Sequence, residues 1–145
     1  MNRAAAIAVI AAGLSVTALA APASAGELLV AVTGVRSAAG EVGCALFAAA
    51  SDFPSGTGSA AQWRPAQASG VTCRFDGLKP GVYAVAVFHD VNGNRRTDTN
   101  LVGIPTEDYG FSNNARPAMR APRFDEAAVQ VKEGAPVRIS VRLGS

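Results

Sequence analysis

The fold is decided by one apolar stretch of the chain, GVYAVAVFH at residues 81–89. A strand with one face in water alternates apolar with polar side chains, whereas a strand covered on both faces is apolar nearly throughout. Almost every side chain in this stretch is apolar. Residues 81–89 therefore predict the central strand of a packed β-sheet.

Segments on both sides of this stretch show the alternation of period two that half-buried strands require. We predict further strands over residues 27–35, 41–48, 71–75, 127–132 and 136–143. Apart from a turn or two near Trp63, no window has the periodicity of an amphipathic helix. We expect an all-β fold: a single immunoglobulin-like or transthyretin-like β-sandwich of six to eight strands with two long loops.

The two long loops are predicted over residues 49–69 and 91–125. The first is rich in Ser, Gly and Ala, with Phe53 and Trp63 as its expected anchors. The second is unusually long for a passive connection between strands. Because binding residues tend to lie on loops held by a rigid scaffold, we expect the second loop to carry the function.

The N-terminal residues predict export. Arg3 precedes an almost unbroken apolar run from Ala4 to Ala20, and Ala23-Ser24-Ala25 has the small-x-small form of a cleavage site. We predict a secretory signal peptide over residues 1–25, a sandwich domain over residues 26–145, and a periplasmic or secreted location without membrane insertion after cleavage. The alternative, a membrane-spanning helix, would need a longer apolar run of about 20 residues.

The two cysteines, Cys44 and Cys73, both fall in predicted strands. An even number of cysteines in an exported protein favours a disulfide bond over a metal site. The whole chain has a formal net charge of +2 with scattered basic residues. We therefore do not expect nucleic acid as a partner. The expected partner is an unknown protein or small-molecule ligand.

Oxygen-bearing side chains occupy alternate positions directly after the apolar strand. Counting Asp90 as position one of a calcium loop places Asn92 at three, Asn94 at five, the Arg96 carbonyl at seven and Asp98 at nine. This spacing predicts a weak calcium site over residues 90–100. Position six, where such loops have Gly, is Arg95. The alternative is a turn held by its own side-chain to backbone hydrogen bonds.

One histidine, His89, lies beside Asp90 at the end of the strand. A Ser-His-Asp hydrolase would need it as the base, but the chain has no G-x-S-x-G elbow. We therefore predict an exported non-catalytic binding or envelope-structural module. The rival is a small periplasmic hydrolase or metal-dependent enzyme that uses His89 and Asp90. An enzyme should expose His89 in a pocket, whereas a binding module should bury it.

A set of sequence motifs resembles family 2141 of the domains of unknown function, which are exported bacterial proteins. The motifs are residues 81–90, the oxygen-bearing residues of the following loop, and residues 103–105, 110–114 and 122–127. The resemblance implies a secreted β-sandwich and no particular activity. Arg95 departs from the family, which usually has Gly there. Residues 75–83 are more distantly similar to transthyretin-like and collagen-adhesin B-type modules, which are mostly structural or binding domains.

Overall fold

A computed structural model describes residues 24–145. All but the last two residues of the predicted signal segment, 1–25, lie outside that range. Eight strands follow one another: β1 (Gly26–Thr33), β2 (Glu41–Phe47), β3 (Ala60–Pro65), β4 (Val71–Leu78), β5 (Gly81–Asp90), β6 (Tyr109–Phe111), β7 (Val129–Val131) and β8 (Pro136–Arg142). One turn of 3-10 helix, Ser112–Asn114, directly follows β6.

The strands form two sheets packed face to face, which confirms the predicted all-β sandwich. The smaller sheet has the order β4-β1-β8, in which β1 and β8 run parallel. The larger sheet has the order β3-β2-β5-β6, and β7 pairs with the first residues of β5. Within the sheet, β5 pairs with β2 along one edge and with β6 and β7 along the other. It is therefore the central strand that its apolar sequence predicts.

The core lies between the two sheets and follows the alternation of each strand. Leu28, Val30 and Val32 of β1 are fully buried against Val85 and Val87 of β5. Each fully buried Val or Leu side chain stabilises the fold by about 1.5–3 kcal/mol relative to exposure. Because Val85 and Val87 point into the core, the alternate residues of β5 point to the outer face of the larger sheet.

The predicted disulfide bond between Cys44 and Cys73 is present. Cys44 lies on β2 of the larger sheet and Cys73 on β4 of the smaller sheet, with their Cα atoms 6.5 Å apart. The bond therefore links the two sheets through the core.

Two strands lie where the sequence predicts only loops. Strand β3 occupies part of the predicted loop 49–69, and the suggested helical turn near Trp63 is wrong because Trp63 lies within β3. Strand β6 occupies three residues of the predicted loop 91–125. Both are edge strands with partly or fully exposed side chains, so the apolar alternation that marks a strand is weak in them.

Amide side chains join the sandwich at its two open sides. Gln62 of β3 accepts a hydrogen bond from the Arg74 backbone N–H of β4 at 3.0 Å and donates to the Arg74 carbonyl. On the other side, the Asn114 side chain accepts from the Arg142 N–H at 2.8 Å. These amides pair with strand backbone that would otherwise need water. In the described part of the chain, no helix is long and apolar enough to span a membrane.

Candidate functional site

The outer face of the larger sheet has a depression in its centre. Ala45 of β2 and Ala86 of β5 lie opposite each other in the strand register, and neither has a side chain longer than a methyl group. Phe88, Tyr109 and Phe111 rise beside them from β5 and β6. Small residues flanked by large aromatic ones give this face an apolar floor with raised edges.

Gly43 is required for this arrangement. It lies opposite Trp63 in β3 and Phe88 in β5, whose rings meet edge to face at 5.0 Å between centroids. A Cβ atom at Gly43 would lie 2.8 Å from Trp63 and 2.9 Å from Phe88. The missing side chain therefore lets the two rings close over the strand at one end of the floor.

Loops on both sides deepen the depression into a groove of about 840 Å³. One wall contains Pro54 and Gly56 from the β2–β3 connection, and the other walls come from residues 103–105 and 116–122. Phe53 anchors the wall at Pro54 to the sheet and to the end of the 116–122 wall, because its ring contacts Phe47, Phe111 and Phe124 edge to face at centroid distances of 5.3, 5.8 and 6.1 Å. The groove is thus bounded by loops anchored to the sheet.

Several large apolar side chains at the groove and on its adjoining loop stand in solvent. Ile104 and Met119 line the groove, with relative exposures of 58% and 104%. Leu101 and Val102, just before this wall, are also exposed. Single exposed apolar residues are ordinary, but a contiguous group beside an apolar groove is typical of a binding surface.

Two arginines bring positive charge to the groove. Arg120 forms a two-point ion pair with Glu126 at 2.7 and 2.8 Å, and this hydrogen bonding lowers the pKa of Glu126 to about 2. Arg116 instead donates to the carbonyl oxygens of Tyr109 at 2.8 Å and Gly144 at 3.1 Å. Its guanidinium lies 5.0 Å from the centre of the Tyr109 ring.

The loop that follows β5 is organised by Asp90. Its carboxylate is fully buried and accepts three backbone N–H groups: Gly93 at 2.8 Å, Asn94 at 3.1 Å and Arg95 at 2.6 Å. Both carboxylate oxygens take part. Asp90 therefore holds the loop backbone in a tight turn, as in the self-bonded alternative to a calcium loop.

Two of the other predicted ligands, Asn92 and Asn94, converge on Asp98, whereas the carbonyl of Arg96 has no recorded contact with it. The side-chain amides of Asn92 and Asn94 donate to its carboxylate at 2.5 and 3.0 Å. Their oxygens are occupied too, because Asn92 accepts the N–H of Asn94 at 3.0 Å and Asn94 accepts that of Arg96 at 2.9 Å. The structure thus brings Asn92, Asn94 and Asp98 together, with Asp90 beneath them as a backbone anchor.

Arg95 adopts the conformation that a glycine would be expected to take at its position. Its φ of 56° lies in the left-handed region, which costs a non-glycine residue about 1–2 kcal/mol. Its guanidinium is bound to Glu41 at 3.0 Å and lies 5.1 Å from the Trp63 ring centre. These contacts offset the strain, so the departure from the family pattern leaves the turn intact.

His89 is buried beneath this loop. Its side chain is 2% exposed, and its Nε2 lies 2.8 Å from the Ala39 carbonyl oxygen, to which it donates. Its backbone N–H donates to the carbonyl of Asp108 at 2.8 Å. His89 therefore supports the loops and does not line the groove.

Two acidic residues hold the far end of the loop against the sheet. One oxygen of buried Glu107 accepts the Val91 N–H at 2.9 Å, and its other oxygen has no partner among the residues that the structure describes. Asp108 is held by two contacts from Arg36, and this hydrogen bonding lowers the pKa of the Asp108 carboxyl. Within residues 24–145, no three His, Cys, Asp or Glu side chains are grouped closely enough to hold a metal ion.

The Ser112-Asn113-Asn114 segment fastens three parts of the chain. Ser112 accepts the Val85 N–H at 2.9 Å, Asn113 donates to the Ala128 carbonyl at 2.9 Å, and Asn114 binds β8. Both asparagines have left-handed backbones, with φ of 59° and 48°. This motif is a structural junction next to the groove.

Sequence reasoning missed the groove. Its floor was visible only as small residues at the outward positions of β2 and β5, such as Ala45 and Ala86, which alone do not distinguish a depression from ordinary packing. Arg116 belongs to no recognisable sequence motif, because only the folded chain brings it to the groove, through its contact with Tyr109.

Fold and site together define a disulfide-bonded β-sandwich with a loop-bounded apolar groove on one outer face. The chain belongs to the family described as an uncharacterized protein conserved in bacteria (DUF2141), whose model matches residues 30–140. No curated protein and no solved structure matches the chain. The more distant similarity to transthyretin-like and collagen-adhesin modules stays a prediction.

Proposed function

We propose that this chain is an exported, non-catalytic binding module whose binding site is the apolar groove. The observation that carries the proposal is the combination of an apolar floor at Ala45 and Ala86 with exposed Ile104 and Met119 on the walls. A groove of about 840 Å³ falls within the range of small-molecule sites, about 300–1,000 Å³. Covering its apolar surface supplies the free energy for binding.

The position of His89 supports binding over the rival enzyme. A hydrolase or metal-dependent enzyme built on His89 and Asp90 needs at least one of them in contact with substrate. Both are almost fully buried, His89 donates to Ala39, and Asp90 accepts three backbone N–H groups. Their hydrogen-bonding capacity is used in holding the loops.

A neutral apolar dye tests the groove. Wild-type protein should raise the fluorescence of N-phenyl-1-naphthylamine in a saturable manner. Ala86→Phe fills the floor and should weaken this binding by about tenfold, or 1.4 kcal/mol. Val82→Phe is the matched control, because Val82 is an outward residue of the same strand that does not line the groove. Absence of saturable binding, or equal weakening in both variants, would contradict the proposal.

Export rests on the N-terminal sequence and receives support from the disulfide bond, because such bonds persist in oxidising compartments. Mass spectrometry of the protein from the periplasmic fraction should find Gly26 as the first residue. An intact Met1 in a cytoplasmic fraction would contradict export.

A calcium ion in the 90–98 loop is a second candidate function, favoured by the convergence of Asn92 and Asn94 on the Asp98 carboxylate. Both amides would have to turn their oxygens toward the ion and give up the N–H bonds they now accept. Binding should therefore be weak, with a Kd of about 10⁻⁴–10⁻³ M. Calcium at 100 times Kd would stabilise the folded state by about 2.7 kcal/mol.

Thermal melts of wild type and Asp98→Ala, each in calcium and in chelator, test this site. Calcium should raise the wild-type Tm and leave the Asp98→Ala Tm unchanged. A wild-type Tm that calcium does not move would leave the loop as self-supporting structure.

A further inference from the structure

We infer that the ligand of the groove is an amphiphile, apolar along its length and anionic at one end, and that Arg116 binds the anionic group. This inference rests on the proposed function of the groove and adds the chemical class of its ligand.

The charge of the groove points to an anion. Its lining includes Arg116 and Arg120, and no Asp or Glu lines it among the described residues. A site built only for neutral ligands gains nothing from a guanidinium group at its wall, because the group must be desolvated when the ligand covers it. An anionic end group would instead recover that cost through charge-assisted hydrogen bonds.

Of the two arginines in the lining, Arg116 is the one that no Asp or Glu side chain pairs with among the described residues. Glu126 neutralises Arg120 through two contacts. Within the part of the chain that the structure describes, Arg116 forms no ion pair with an Asp or Glu side chain; its partners are backbone oxygens of Tyr109, Gly144 and Ser145. Asp108, whose pKa Arg116 also helps to lower, is held by Arg36.

Arg116 is also held in place before a ligand arrives. Its Nη2 donates to two carbonyls, and its guanidinium lies against the Tyr109 ring. Together with the Nη1 contact to Ser145, these contacts leave its Nε–H and one N–H of Nη1 free to donate, since a guanidinium carries five N–H groups. A fixed guanidinium loses little side-chain entropy on binding, which favours affinity.

The floor and the end group together describe one ligand. Ala45, Ala86 and Phe111 would contact the apolar chain, while Arg116 at the wall would contact its carboxylate or phosphate. A single-chain amphiphile of about twelve carbons is within the ligand size that grooves of this volume accept. A carboxylate and a phosphate share the negative charge that Arg116 would bind, and a competition experiment distinguishes these two head groups.

Displacement of N-phenyl-1-naphthylamine tests the inference on the whole mature protein. The competitors are dodecanoate, dodecyl phosphate, dodecanol and dodecyltrimethylammonium, all below their micelle concentrations. At least one anionic competitor should bind about tenfold more tightly than dodecanol, which corresponds to one good charge-assisted contact. The cationic competitor should bind more weakly than dodecanol. The tighter of the two anions identifies the head group.

The matched variants are Arg116→Gln and Arg120→Gln. Arg116→Gln should remove the preference for the anion while dodecanol still binds, and dodecanol binding also shows that the variant is folded. Arg120→Gln should keep the preference. Equal affinity of wild type for dodecanol and both anions, or a preference that survives Arg116→Gln, would overturn the inference and leave the proposed function intact. Failure of every competitor and of the dye would overturn the proposed function itself.

Discussion

The polar loop of residues 90–98 and the apolar groove beside it differ in whether their side chains already have partners within the protein. In the loop, the side-chain oxygens of Asp90, Asn92, Asn94 and Asp98 each accept hydrogen bonds from within the loop. In the groove, large apolar side chains such as Ile104 and Met119 face solvent. The side chains of the more conspicuous sequence motif thus already have partners within the protein, whereas the less conspicuous surface leaves apolar side chains uncovered.

The largest expected effect is a loss of folding stability, which affects the loop and the groove together. Replacing Cys44 and Cys73 together by Ala removes the link between the sheets and should lower the free energy of unfolding by about 3.6 kcal/mol in the chain-entropy treatment of a 29-residue loop. Urea unfolding followed by Trp63 fluorescence measures it. A loss below about 1 kcal/mol would show that the packed core, and not the disulfide, holds loop and groove together.

A smaller effect should distinguish the loop from the groove. Asp90→Ala leaves three backbone N–H groups without their acceptor and should cost about 3 kcal/mol of folding free energy, at about 1 kcal/mol for each bond. Asp98→Ala is the control in the same loop, because Asp98 accepts only side-chain amides there, and should cost about 1 kcal/mol in chelator. Equal losses would refute the scaffold role of Asp90.

The Arg36–Asp108 pair should make the stability of the fold depend on pH. The pKa of Asp108 is lowered in the folded state, so the pair stabilises the fold above the ordinary carboxyl pKa of about 4 and loses this stabilisation as pH falls through the folded pKa. Arg36→Gln should lower the free energy of unfolding at pH 7. The stability difference between wild type and Arg36→Gln should shrink below pH 4; a constant difference down to pH 2 would contradict the assignment.

The smallest effect on stability should come from the groove. Ile104→Ser and Met119→Ser remove exposed side chains and should change the free energy of unfolding by less than about 0.5 kcal/mol. Both should nevertheless weaken dye binding. A large loss of stability would mean that these side chains are part of the packed core, and unchanged dye binding would remove them from the site.

Sequence reasoning predicted what local pattern determines. Two-sided apolarity identified β5, the even number of cysteines in a chain with an export signal predicted the Cys44–Cys73 bond, and the Asx spacing located the loop. Strands β3 and β6 were missed because edge strands with exposed side chains alternate weakly, and because β6 has only three residues.

The groove could not be predicted because its parts are distant in sequence. Ala45, Ala86 and Arg116 meet only through strand register and through the Arg116 contacts to Tyr109 and Gly144. The turn at Arg95 was equally hidden, since a non-glycine residue reaches a left-handed φ here through long-range contacts with Glu41 and Trp63. The spacing of residues along the chain therefore predicts neither the groove nor the left-handed conformation of Arg95.

We propose that ligands bind in the groove and leave the polar loop as it is. The most direct test is an amide ¹H–¹⁵N NMR titration of the mature protein with N-phenyl-1-naphthylamine in chelator. We expect the largest shift changes at Ala45, Ala86 and Ile104, and negligible changes at Gly93 and Asn94. Shift changes concentrated at Gly93 and Asn94, or none at saturating dye, would contradict the account.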